Sequence, residues 1–172
     1  MNPSGNTALV IIDMQVSLMD ENPWQPQPVI ATINRLIHQA RETDAVVCFV
    51  WDERVEPDAG ILPVLSQQPS DWTQSKHFRD AFMDTTLHQR LQQAGVRRLV
   101  MTGMQTDYCV DTSCRAAAAL GYEVILVSDG HTTPDSDQLT GEQIVRHHNR
   151  ILNNHLAGQG SIAVVPAAEV IF

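Results

Sequence analysis

The chain has 172 residues and a mass of 19.1 kDa, enough for one domain, spanning 1–172, with a substantial buried core. A net charge of −9 and a pI near 5.0 argue against nucleic acid or an anionic membrane surface as partner. No apolar stretch reaches the roughly 18 residues needed to cross a bilayer. Residues 1–6 lack the charged and apolar regions of a signal peptide. Three cysteines, Cys48, Cys109 and Cys114, form an odd count with no repeated spacing, which speaks against a disulfide framework. A reducing cytoplasm is the expected location.

Short apolar runs rich in β-branched residues alternate with helical patterns. Residues 7–13 and 45–51 form the first two runs, and residues 99–102, 124–127 and 162–165 the next three. Near-continuous hydrophobicity of this kind marks strands covered on both faces, as in parallel sheets. Between the first two runs, Val29, Ile33, Leu36, Ile37 and Ala40 recur at helical spacing behind Pro28. A second helix is expected after Asp84, with Leu87, Leu91 and Ala94 on one face and Gly95 as its stop. A third begins near Cys109 and ends before Gly121. A fourth opens on Thr140-Gly-Glu-Gln143, the pattern of a capping box.

This alternation predicts an α/β domain: a three-layer, doubly wound, Rossmann-like sheet, mainly parallel, with helices on both faces. Residues 53–79 are the exception. They hold three prolines and many polar side chains, and read as an insertion forming a lid or one wall of a site.

Open parallel sheets bind ligands beyond the C-terminal ends of their strands. Two polar residues stand there: Asp13 closes the first strand, and Cys109 follows the third confident strand after a short loop. A thiol at a helix start meets unpaired backbone N–H groups and the positive end of the helix dipole, both of which favour the nucleophilic thiolate. Taken singly, Asp13 reads sooner as a polar strand end and Lys76 as a solvated surface lysine, whereas Cys109 reads equally as a nucleophile and as packing. Cys48 and Cys114 read as packing in the sheet and the helix.

Three segments change the weight of these readings: Ile11-Ile-Asp-Met-Gln15, Ser75-Lys-His-Phe-Arg-Asp-Ala-Phe82 and Gly103-Met-Gln-Thr-Asp-Tyr-Cys-Val110. Together, in this order and spacing, they resemble the signature of the isochorismatase-like cysteine hydrolases, and the likeness extends over nearly the whole chain. The resemblance implies a catalytic triad of Asp13, Lys76 and Cys109. It also implies a cis peptide between Met104 and Gln105, and an oxyanion hole made by the backbone amides of Gln105 and Cys109. Cys109 would attack a carbonyl carbon, Asp13 would carry the proton, and Lys76 would orient Asp13 and hold positive charge beside the sulfur. Each oxyanion-hole amide is worth roughly 3 kcal/mol in other enzymes. No cofactor is required by this chemistry.

The resemblance also narrows the reaction. Nicotinamidases of this superfamily carry an Asp-x-His metal site after the second strand, whereas here the segment is Trp51-Asp-Glu-Arg54 and no histidine follows until His77. Isochorismatases proper lack the nucleophilic cysteine. The expected activity is therefore metal-independent cleavage of a C–N bond in a small amide, carbamoyl or ureido compound. An ester or ether hydrolase, or a binding protein that keeps the fold without turnover, stands as the alternative. His131, His147, His148 and His155 lack the one-turn spacing of a zinc helix, and no metal site is expected. Expected pocket walls are Gln15, Trp24, Trp51, Phe82, Tyr108 and His131. Asp107 and Thr106 are expected to hold the turn before Cys109. Partners are expected to be a small-molecule substrate and further copies of the chain, as a dimer or tetramer.

Overall fold

The apolar runs build a single seven-stranded sheet, β3-β2-β1-β4-β5-β7-β6 in spatial order. The computed structural model describes residues 6–172, so the reading of the N-terminus falls largely on residues outside it. In chain order the elements are β1 (Thr7–Ile12), a short helix α1 (Val16–Met19), α2 (Pro26–Glu42), β2 (Val46–Asp52), β3 (Trp72–Lys76) and α3 (Leu87–Gln93). They continue with β4 (Arg98–Met104), a π-helical turn (Thr106–Val110), α4 (Asp111–Ala119), β5 (Glu123–Thr132), α5 (Gly141–Leu152), β6 (His155–Ala157) and β7 (Gly160–Val165). A 3₁₀ turn at Ala167–Glu169 follows. Every strand pair is parallel except β6 with β7.

Strand alternation divides the core between the two faces. Ala8, Val10 and Ile12 of β1 point into one layer with Leu87 and Leu91 of α3 and Cys114, Ala117 and Ala118 of α4. Leu9 and Ile11 point into the other, against Val29, Ile33, Leu36 and Ile37 of α2. Burial on both faces is why these strands read as unbroken apolar runs. Cys48 and Cys114 are fully buried packing residues.

The chain runs β1→β2→β3 outward, then returns to place β4 on the other side of β1. That reversal opens a crevice beyond the strand ends, between the loops that follow β1 and β4. The segment 53–79 is only partly a loop. Its last residues form β3, paired with β2 from Cys48↔Trp72 to Asp52↔Lys76. The sequence hides this strand because it is a sheet edge of polar, half-exposed residues, Trp-Thr-Gln-Ser-Lys. Among the described residues, no helix is long and apolar enough to cross a membrane.

Candidate active site

β1 delivers Asp13 to the crevice. Asp13 has left-handed backbone (φ 49°), its N–H donates to the Val50 carbonyl (2.9 Å), and its own carbonyl accepts from Gln15 N–H (2.8 Å). Aspartate tolerates this conformation better than most residues. β4 arrives beside it through Gly103, whose φ is +113° and where an added Cβ would lie 2.0 Å from the Ile12 carbonyl oxygen. The Met104-Gln105 peptide that follows is cis. The chain then turns as a π-helix, with the N–H groups of Tyr108 and Val110 both donating to the Gln105 carbonyl (3.1 Å each). Cys109 lies in this turn.

β3 supplies the cation. The Lys76 side chain is completely buried, and its Nζ lies 2.8 Å from Asp13 Oδ2, 3.4 Å from Cys109 Sγ and 3.5 Å from Asp52 Oδ2. Asp13, Lys76 and Cys109, joined in the sequence only by their motifs, thus meet in one buried cluster. Asp13 Oδ1 is buried and has no hydrogen-bond partner among the described residues.

The electrostatics correct one expectation. Cys109 follows the start of a helical turn, yet its thiol is pushed up to about 12, by burial first and by the neighbouring Asp13 carboxylate second, with Lys76 opposing. Burial and the Asp13 carboxylate thus oppose the helix-terminus effect on this thiol. Burial likewise raises Asp13 above the usual carboxylate range, with Lys76 opposing. Burial works against the charge on Lys76, but Asp13, Cys109 and Asp52 outweigh it and raise its pKa.

Asp52 is the member that sequence reasoning passed over as a failed metal ligand. Its carboxylate accepts from Arg54 Nε (3.0 Å) and Nη2 (2.7 Å), and from the Arg54 backbone N–H (3.0 Å). Burial would raise it, but the Arg54 bonds and the Lys76 charge carry it down to about 2. The Asp-x-Arg spacing was the available signal: it puts a guanidinium where the metal-binding pattern has an imidazole. Among the described residues, no three His, Cys, Asp or Glu side chains gather as an ion would require.

The expected pocket walls divide. Gln15 is fully buried and ties loop to strand: its Nε2 donates to the carbonyls of Asp52 and Ala59, and its Oε1 accepts from Asp52 N–H (2.9 Å each). Every polar atom is used within the protein, so Gln15 is not a wall. His131 is buried as well, bridging Thr106 Oγ1 and Asn149 Oδ1 at 2.8 Å each. Burial holds its pKa down to about 4, so the ring is neutral and braces the start of the π-turn from behind. Phe82 stacks on Tyr122 (6.1 Å between centroids).

Tyr108 is partly exposed, with the Arg79 guanidinium 4.1 Å from its ring centre. Trp51 borders a small hollow with Ala59, Gly60 and Ile61. Trp24 is half-buried, its N–H donating to the Thr133 carbonyl (2.9 Å) and its carbonyl accepting from the Thr132 hydroxyl. Thr133 Oγ1 in turn donates to Asp107 Oδ1 (2.7 Å), which ties the π-turn to the residues after β5. Gln105 Nε2 donates to Glu21 Oε2 (2.6 Å).

A doubly wound parallel sheet with a buried Asp–Lys–Cys cluster at its reversal point defines an isochorismatase-like hydrolase fold. The isochorismatase domain model matches residues 7–147, and the chain belongs to the isochorismatase family. An isochorismatase family protein of known structure superposes with a TM-score of 0.84 at 29% identity, covering 91% of this chain and 97% of its own. A putative isochorismatase hydrolase from Oleispira antarctica gives 0.85 at 26%, covering 98% and 97%. The ureidoacrylate amidohydrolase RutB of Stutzerimonas stutzeri (strain A1501) is 24% identical, over 73% of this chain and 69% of its own. Streptothricin hydrolase of Streptomyces noursei is 28% identical over 74% of this chain, which spans 55% of that protein.

Proposed function

We propose that this protein is a metal-independent cysteine hydrolase that cleaves a C–N bond of a small amide, carbamoyl or ureido compound through a covalent thioester. The observation that carries this reading is the placement of Lys76 Nζ 2.8 Å from Asp13 and 3.4 Å from Cys109 Sγ inside one buried cluster. Nucleophile, base and cation form a unit of the kind that activates a weak nucleophile only when substrate is present. Two relatives whose names describe hydrolysis, one an amidohydrolase, agree with it.

In the acylation half, Cys109 Sγ bonds to the carbonyl carbon while its proton moves to Asp13. The tetrahedral oxyanion is held by the backbone amides of Gln105 and Cys109. The C–N bond then breaks, and Asp13 returns the proton to the departing nitrogen. In the second half Asp13 takes a proton from water, the hydroxide attacks the thioester carbon, and the C–S bond breaks with the proton returned to sulfur. Lys76 keeps Asp13 oriented and offsets the charge that develops on sulfur. The Asp52 carboxylate, already engaged by Arg54 and Lys76, serves as an electrostatic support instead of an ion ligand.

The experiment is a screen of small amides and ureas against the protein and its Cys109→Ala form, with intact-mass detection of the acyl-enzyme. Turnover with a trapped mass on Cys109 is expected. Activity that survives Cys109→Ala excludes the thioester route, and activity that disappears with a chelator excludes the metal-free one.

A further inference from the structure

A buried chain of hydrogen bonds runs from α5 to the turn that carries the nucleophile. Thr106 opens the π-turn, and its Oγ1 lies 2.8 Å from His131 Nδ1. His131 Nε2 lies 2.8 Å from Asn149 Oδ1, and Asn149 Nδ2 donates to the Ser128 carbonyl at 3.0 Å. Thr106 and His131 are fully buried. The direction of every bond follows from the last one. A carbonyl can only accept, so Asn149 turns its amide nitrogen to Ser128 and its oxygen to His131. That oxygen has no hydrogen to give, so His131 carries its proton on Nε2 and leaves Nδ1 as an acceptor. Thr106 is then the donor. Burial keeps the ring neutral, as this arrangement requires.

The backbone of β5 is shaped to bring the ring there. Between the pairs Met101↔Leu126 and Gly103↔His131, β5 carries three residues more than β4. Extra residues of this kind bend a strand and re-aim a side chain, often beside an active site. The irregular stretch is tightly closed: a Cβ on Gly130 would lie 2.9 Å from Val127 Cβ and 3.2 Å from Thr102 Cγ2. Asn149 holds the stretch at Ser128, and Asp129 Oδ1 accepts from Ala167 N–H (2.7 Å). A second tie, from Thr133 Oγ1 to Asp107 Oδ1, fixes the next residue of the π-turn. A core histidine needs partners only for its own nitrogens. Here the chain of bonds ends three residues before Cys109.

We propose that His131 and Asn149 are positioning residues for Cys109. Acting through Thr106, they hold the π-turn so that the sulfur and the backbone amides of Gln105 and Cys109 keep the geometry of attack. π-helical turns are rare and recur at functional sites, and small displacements of reacting groups are costly in rate. The orientation of this turn is set from outside it, by the bonds that reach it from β5 and α5. The inference rests on the hydrolytic reading for what Cys109 does once placed, but the chain of bonds is independent of it.

The test uses the full chain. Two-bond proton–nitrogen correlation spectra at neutral pH are expected to show His131 protonated on Nε2 alone, and a proton on Nδ1 overturns the proposal. Acetylation of Cys109 by para-nitrophenyl acetate is then followed by intact mass, with Cys109→Ala as the blank. Thr106→Val keeps the shape of the side chain but removes the donor. It is expected to slow acetylation about 100-fold and to shift the backbone amide signals of residues 105–110. Thr106→Ser restores the hydroxyl and should recover most of that rate, although it deletes a buried methyl group. A role in packing alone predicts the reverse order. Valine at the unaltered rate, or serine no better than valine, overturns the proposal. Asn149→Leu frees the ring to take either tautomer and should slow acetylation as well. A single tautomer or an unchanged rate in that variant is equally fatal, and it decides the matter should Thr106→Val fail to fold. A Cys109 that gains no acetyl group in the unaltered chain sinks the hydrolytic reading, and the tautomer and amide signals then decide the positioning role alone.

Discussion

Burial raises the proton affinity of Cys109 and of Asp13 alike; the Asp13 carboxylate raises that of the thiol further, the hydrogen bond from Cys109 lowers that of Asp13, and Lys76 lowers both. Replacing Asp13 by asparagine removes the like charge and leaves the ammonium 3.4 Å from sulfur. Asp13→Asn should therefore abolish turnover yet speed alkylation of Cys109 by iodoacetamide at pH 7, read by peptide mass mapping. A slower or equal rate would show that Asp13 does not hold the thiol protonated. With Asp13 present, alkylation should still be rising above pH 9, and a plateau below pH 8 would mean a resting thiolate. The base must be ionised to accept a proton, and burial has raised it. The acid limb of kcat/KM is thus expected above the ordinary aspartate value of about 4, with activity falling as pH drops through it. For Asp52 the sign is the reverse. Its depressed carboxyl stabilises the fold fully above pH about 4, and that support is lost as pH falls towards 2. Arg54→Gln should accordingly move the onset of acid unfolding, followed by circular dichroism, to higher pH. Of these residues, Asp13 and Cys109 could be read in the sequence, because strand ends and a motif mark them. The Asp52–Arg54 pair was marked only by its Asp-x-Arg spacing, since its role lies in what each carboxylate oxygen touches.

Among the elements, the helices were legible down to their caps. Thr140 accepts from Gln143 N–H while Gln143 Oε1 accepts from Thr140 N–H, the reciprocal pair that the sequence pattern implies. Thr140→Ala is expected to cost about 1 kcal/mol in a urea titration, with activity unchanged. The β1–β4 contact is less forgiving. A methyl group at position 103 would overlap the Ile12 carbonyl, in a backbone region that side chains rarely adopt. Gly103→Ala should cost about 3 kcal/mol or more and displace Asp13 and Gln105 together, lowering kcat as well as stability. A fully active Gly103→Ala protein would contradict the geometry. The sequence reading missed β3 and the antiparallel β6, both at sheet edges. Edge strands need only one apolar face or none, so the period that betrays a central strand is absent. It also placed Gln15 and His131 on the pocket by position along the chain. Whether such side chains face a cleft or the core depends on partners such as Ala59 and Asn149, which lie 18 or more residues away.

Over the whole molecule, the site is a joint property of four adjacent strands, each supplying one kind of group at its C-terminal end. These strands are not equally secure. β1 and β4 are paired on both sides, whereas among the described residues β3 has a neighbour only on one side and supplies Lys76. Outer elements of a sheet open before inner ones, in units that exchange their amide hydrogens independently of global unfolding. The catalytic cluster should then disassemble from its cation outward as conditions become harsher. Deuterium uptake at residues 72–76 is expected to precede uptake in β1 and β4 in sub-denaturing urea, with loss of activity following the former. Simultaneous uptake in all three strands would show instead that the edge is welded to the core. Under a graded response, catalysis would fade well before the fold does, making activity the more sensitive thermometer of this protein's integrity.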